Sequence, residues 1–163
     1  MPINVNQRDM GVNRRSKIVM SPEEVDAFVR EKRTASMSSI SHDASIHVVA
    51  MWYGFLDGNV AFQTKARSQK VQNLRRDSRL TVMVEAGERY EELRGVELVG
   101  RAEIVEDPQQ LWAIGLSVYE RYTGPYTDDA KSALEYTLKK QVGVRLRADR
   151  VVSWDHRKLA KLG

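Results

Sequence analysis

Cations and hydroxyls crowd into one short stretch of this chain. From Thr64 to Leu74 the residues run T-K-A-R-S-Q-K-V-Q-N-L, where a strand pattern ends and a helix pattern begins. A helix start leaves backbone N–H groups unpaired at the positive end of its dipole, which attracts phosphate. Thr64 and Ser68 offer hydroxyls to phosphate oxygens, and Lys65, Arg67 and Lys70 offer neutralising charge. A capped surface helix with solvent-facing cations uses the same residue types. The basic run continues through Arg75, Arg76 and Arg79 with one acid, Asp77. A compact cluster of this kind suits a phosphorylated or polyanionic small ligand better than a long duplex.

Two further stretches can carry chemistry. Ile46-His47-Val48-Val49-Ala50-Met51-Trp52-Tyr53 is an apolar strand able to lay its backbone under a flat ring, or simply to fill a core. Ser153-Trp154-Asp155-His156-Arg157 combines a stacking indole with groups that meet anions, or anchors the C-terminus. The histidines, His42, His47 and His156, lack metal-site spacing. No G-x-S-x-G elbow and no P-loop occurs. Tyr119, Tyr122, Tyr126 and Tyr136 gather in a helical region, where helix packing accounts for them and a substrate opening is the alternative.

The elements that must position these residues follow from local signals. Ser21-Pro22-Glu23-Glu24 starts a helix running to about Arg33, with Val25, Phe28 and Val29 as its stripe. Strands are expected at 34–40, 45–55, 60–64, 80–85, 92–106 and 142–154, with a hairpin at Asp57-Gly58. Further helices are expected at 68–77, after Asp107-Pro108, and over 127–140. Ser68 is the expected cap of the second helix. Six strands with hairpin connections and short helices predict an α+β protein on an antiparallel barrel. Residues 1–20 read as a polar arm, and 21–163 as one domain.

Composition narrows the class. The chain has 163 residues, 42% hydrophobic and 29% charged, with no cysteine and net charge +4. That balance is globular. Disulfides and thiolate chemistry are excluded. The N-terminus has basic residues but no apolar run after them, and no segment is long enough to cross a bilayer, so a cytoplasmic location is expected.

The runs K-A-R-S-Q-K-V-Q-N-L-R-R-D-S-R-L-T-V-M-V, R-G-V-E-L-V-G-R-A-E-I-V-E-D and S-W-D-H-R-K-L together resemble the pyridoxamine 5′-phosphate oxidase-like split-barrel superfamily. The likeness is greatest to the actinobacterial flavin/deazaflavin-dependent oxidoreductases of class B, and it covers about Ser21 to Leu159. The resemblance implies a split barrel and a homodimer with cofactor sites at the subunit interface; charge patterning and the lack of a long apolar run lead to the expectation of neither nucleic acid nor a membrane as partner. It implies that His47, Val48, Val49, Ala50, Met51 and Trp52 flank an isoalloxazine-like ring. It implies a phosphate loop over Gln63, Thr64, Lys65, Arg67, Ser68, Gln69 and Lys70. Lys70 takes the place of the family's phosphate-binding lysine, and Asn73 follows one turn later. Trp154 is similar to an aromatic that approaches the ring from the partner subunit.

The chain also departs from the oxidases. Their Arg-x-x-x-x-Lys pattern is replaced by HVVAMW, and their fifth-strand glutamine by Gly95. The departures argue against pyridoxal phosphate synthesis and lead to coenzyme F420 as the expected cofactor, with FMN as the alternative. The anionic tail of the deazaflavin suits the extra cations Lys65, Arg67 and Arg75. The implied activity is hydride transfer between reduced coenzyme and a small conjugated substrate. His47 is a conceivable acid or base, because an imidazole as a class titrates near neutrality, and solvent equally can supply the proton. A binding protein that stores or carries the cofactor, or haem, without turnover is the remaining alternative.

Overall fold

Local signals set most of the elements. The computed structural model describes residues 14–31 and 33–162. Among them are seven strands: β1 (Ala35–Ile40), β2 (Ile46–Met51), β3 (Gly54–Leu56), β4 (Asn59–Lys65), β5 (Arg79–Ala86), β6 (Arg94–Val105) and β7 (Gln141–Asp155). The helices are α1 (Arg14–Ile18), α2 (Pro22–Arg30), α3 (Gln69–Arg76), α4 (Pro108–Tyr122) and α5 (Lys131–Leu138). Ser21 and Glu24 form a reciprocal capping box on α2, and Asp107 caps α4 by accepting from the Gln110 amide at 2.9 Å, so both starts read from the sequence hold. Asp57 and Gly58 turn between β3 and β4 with φ of 49° and 76°, the paired positive angles of a tight hairpin.

The strands form one antiparallel sheet in the order β2-β1-β5-β6-β7-β4-β3. β2 and β3 are its opposite edges, yet only Trp52 and Tyr53 lie between them in the chain. Three Cα steps span at most about 11 Å. The sheet must therefore curl until its edges nearly meet, which makes it a split barrel of the expected α+β class.

The expected strand over 45–55 is therefore two strands, and the physical reason lies in α4. The Tyr53 carbonyl accepts from Arg121 Nε at 2.8 Å and the Tyr53 amide donates to the Tyr122 hydroxyl at 3.3 Å. Side chains thus replace ladder partners at this residue and let the chain turn. The Tyr53 ring is fully buried, and its hydroxyl donates to the Val29 carbonyl at 2.6 Å.

The barrel interior is filled by Met37, Tyr53, Phe62, Leu80, Val82, Val96, Val144 and Leu146. A second apolar cluster joins α4 to β3 and β4 through Leu56, Ala61, Val105, Ile114 and Val118. The end of the expected N-terminal arm is structured: α1 is helical, and Met20 is buried with the barrel core. The rest of that arm, residues 1–13, lies outside the described residues. Among the described residues no helix is long and apolar enough to cross a membrane.

Candidate functional site

The two faces of β4 divide the predicted phosphate loop. Val60, Phe62 and Thr64 point into the barrel core, and Thr64 is 7% exposed. Gln63 and Lys65 share the opposite face with Ala61. The chain then turns, with the Ser68 amide donating to the Lys65 carbonyl at 3.0 Å, and α3 begins. Ser68 occupies the cap position but accepts no cap bond, contrary to expectation. Its Oγ is buried and has no partner in the fold. The first amides of α3 therefore lack the usual side-chain acceptor.

Lys70 lies at the second position of this helix and is half-buried. Burial alone pulls its pKa below the usual lysine value of 10.5, and no carboxylate offsets the shift. The cations further along the run are already engaged. Arg75 pairs with Glu106 at 2.8 Å, Arg79 with Asp77 at 2.6 Å, and Arg76 donates to the Ile40 carbonyl at 2.8 Å. Lys65, Arg67 and Gln69 are exposed. A desolvated lysine, an unpartnered hydroxyl and uncapped amides within three residues of chain are donors of the kind that a phosphoryl group accepts from.

β2 supplies the neighbouring wall. His47, Val49 and Met51 face the core, and Ile46, Val48 and Ala50 face outward. His47 Nδ1 is buried without a partner. Past the strand end, Trp52 stacks on Tyr122 with ring centroids 4.6 Å apart and planes 1° apart. Ala50, Met51 and Trp52 line an open groove of about 460 Å³ together with Thr34, Gln63, Val118 and Gln141. The fold thus unites the end of the apolar strand with Gln63.

Two predicted residues lie elsewhere. Asn73 is fully buried, donating to Ser39 Oγ at 3.1 Å and accepting from Gln69 Nε2 at 2.8 Å and from Arg76 at 3.2 Å; its amide ties α3 to β1. Trp154 is half-buried and lies flat across Gly95, where an added Cβ would come within 2.3 Å of the indole. It stands on β7, thirteen residues along the strand from Gln141, which lines the groove. The rest of the C-terminal motif is held within the chain: Asp155 binds Arg157 at 2.7 Å, and His156 Nδ1 lies 2.7 Å from the Tyr90 carbonyl. Sequence reasoning missed Gln141 and Thr34 and left the Tyr122 stack undecided.

Comparison with known proteins is decisive for the family. A family model described as pyridoxamine 5′-phosphate oxidase matches residues 21–155. The chain belongs to the pyridoxamine 5′-phosphate oxidase family. It is similar to the crystal structure of the conserved hypothetical protein Rv2991 from Mycobacterium tuberculosis, at 50% identity and a TM-score of 0.87, over 90% of this chain and 91% of that one. An F420 reductase shares the fold at 23% identity and a TM-score of 0.61, over 80% of this chain and 98% of its own. HutZ, a heme storage protein from Vibrio cholerae, does so at 16% identity and a TM-score of 0.63, over 81% and 94%. No curated protein matches the chain.

Proposed function

We propose that this chain is a homodimeric oxidoreductase that grips coenzyme F420 by its phosphate and passes a hydride between it and a small conjugated organic molecule. The observation that carries this reading is Lys70, half-buried and without a carboxylate partner among the described residues, two residues after the unpartnered Ser68 hydroxyl. The shared fold of a protein named F420 reductase supports it.

In this reading Lys70 Nζ, Ser68 Oγ and the first amides of α3 hold the phosphoryl oxygens. Lys65 and Arg67, exposed at the mouth of the turn, meet the anionic tail. The β2 residues Val48, Val49, Ala50 and Met51 flank the ring, and the Trp52–Tyr122 stack screens one side from water. When bound, the coenzyme supplies the hydride chemistry. The protein's contribution is orientation of a flat substrate against it. FMN is the rival ligand, because the α3 cradle itself reads only a phosphate.

The test is titration of the purified protein with F420 and with FMN, following intrinsic tryptophan fluorescence, to which Trp52, 56% exposed at the groove, contributes. F420 is expected to bind more tightly. Lys70→Ala should cost about 1.5–3 kcal/mol of affinity by removing a charge-assisted phosphate contact. Tight FMN binding without F420 binding would reverse the cofactor, and unchanged affinity in Lys70→Ala would remove the cradle.

A further inference from the structure

Three arginines stand in a row across the three central strands of the sheet. Arg79 on β5 is directly opposite Arg101 on β6, and Arg101 is directly opposite Arg147 on β7. Residues paired in this way have Cβ atoms about 4.5–5.5 Å apart, and like charges so placed destabilise a sheet. The outer two members of the row are relieved. Asp77 pairs with Arg79 at 2.6 Å, and Glu103 pairs with Arg147 at 3.0 Å. Arg101, between them, is exposed and has no ion pair among the described residues. Its Nη1 donates to the Ser78 hydroxyl at 3.2 Å. The fold thus carries a repulsion at Arg101 that its own acids leave standing.

Arg101 stands on the rim of a cavity. Arg76, Asp77, Ser78, Arg79 and Arg101 line an open hollow of about 480 Å³, which His42 of the β1–β2 turn also borders. Arg76 is anchored there through Nη2, which donates to the Ile40 carbonyl at 2.8 Å and to Asn73 Oδ1 at 3.2 Å. Neither acceptor carries a charge. Three guanidinium groups against the one carboxylate of Asp77 leave the rim with two positive charges. The hollow is separate from the predicted phosphate loop. Arg76 closes α3 and Lys70 lies in its first turn, so about 9 Å of helix rise stands between them.

We propose that this hollow is a second ligand site, built for a phosphomonoester dianion held by Arg76 and Arg101 with Arg79 beside them. A guanidinium fork matches the oxygens of a phosphate two at a time. A phosphomonoester carries close to two negative charges at neutral pH, which meets the surplus on the rim. The volume lies in the range of small-molecule pockets and leaves room for an organic group on the ester oxygen. A bound dianion would also remove the repulsion at Arg101. The site stands independently of the cofactor reading.

The probe is phenyl phosphate, compared with phenyl sulfate, which has the same shape and one negative charge fewer. Dissociation constants are measured by calorimetry at constant ionic strength, at about pH 7.5, above the second phosphate pKa of about 6. The measurement is made on wild-type protein and on Lys70→Ala, which lacks the lysine assigned to the cofactor. Phenyl phosphate is expected to bind more tightly than phenyl sulfate in both. Arg101→Gln should weaken phenyl phosphate about tenfold, the low end for a charge-assisted hydrogen bond. The same change should leave the melting temperature unchanged or raised, because it relieves the opposed charges. Arg101→Lys, which keeps the charge and loses the fork, should fall between. Equal binding of the two probes, or phenyl phosphate affinity unmoved in both Arg101 variants, overturns the site. Binding that disappears in Lys70→Ala belongs to the α3 N-terminus and overturns it as well. A wild-type protein that binds phenyl phosphate through Arg101 but takes neither F420 nor FMN keeps the hollow and loses the cofactor reading.

Discussion

Lys70 carries the argument at the scale of single residues. Burial disfavours its charged form, so its pKa lies below the usual 10.5. A bound phosphate reverses the penalty by supplying the missing counter-charge. Affinity for a phosphate-bearing cofactor should therefore be full near neutrality and fall as pH rises, starting earlier than for an ordinary lysine. Lys70→Arg should remove that alkaline limb, since a guanidinium stays charged throughout. Titrations at stepped pH from 7 to 10 check this, and an alkaline limb unchanged in Lys70→Arg would show that another group titrates. The junction was legible as a candidate because its signal is local: a hydroxyl and three cations where a strand gives way to a helix. Gln141 was not legible. A glutamine after two lysines carries no signal until the β4–β7 register sets it diagonal to Gln63. Asn73 misled for the opposite reason. Helical spacing from Lys70 is local, but the Ser39 hydroxyl that takes its amide inward is thirty-four residues away.

Among the elements, the break between β2 and β3 decides where the groove lies. Tyr53 is its pivot, tied to the end of α2 by its hydroxyl. Arg121 clamps the same region, donating to the carbonyls of Tyr53, Arg30 and Glu31 at 2.8, 2.8 and 3.1 Å. Tyr53→Phe removes the donor to Val29 and should destabilise the fold by about 1–2 kcal/mol. Burial also raises the Tyr53 pKa from 10.0 to about 12. With the folded pKa above the unfolded one, its contribution is intact below pH 10 and is lost as pH rises towards 12. Wild-type stability should therefore slope downward over that window, and Tyr53→Phe should flatten the slope in urea melts. An unchanged slope would mean that other tyrosines dominate it. The caps at Ser21 and Asp107 and the Asp57-Gly58 turn were readable because each is fixed by neighbours within a few residues. The break was not, because Arg121 and Tyr122 reach Tyr53 from nearly seventy residues downstream, across a run that otherwise keeps strand composition.

For the whole molecule, the open question is what covers the outer face of the sheet. Directly paired residues share a face. The pairings Ala50–Ser36, Ser36–Met83, Met83–Glu97 and Glu97–Val152 therefore trace one continuous outward surface. Ile46 and Val48 stand on it 73% and 60% exposed, on an edge strand paired on one side only. Such a surface invites a partner. Trp154 lies on the same surface, thirteen residues along β7 from Gln141, which lines the groove. A second copy of the chain would cover the apolar stripe and bring its tryptophan to the first copy's site, which is how the proposed dimer makes sense of both. The wild-type protein is then expected to sediment at about twice its 18.6 kDa chain mass. Ile46→Lys, placing a charge in the stripe at a residue that does not flank the ring, should shift it to the monomer without loss of secondary structure. Because each site would take a tryptophan from the other chain, that monomer should also bind cofactor more weakly, and Trp154→Ala should weaken binding while the dimer persists. A wild-type chain that sediments as a monomer and still binds cofactor tightly would place Trp154 outside the site and leave the stripe to another partner.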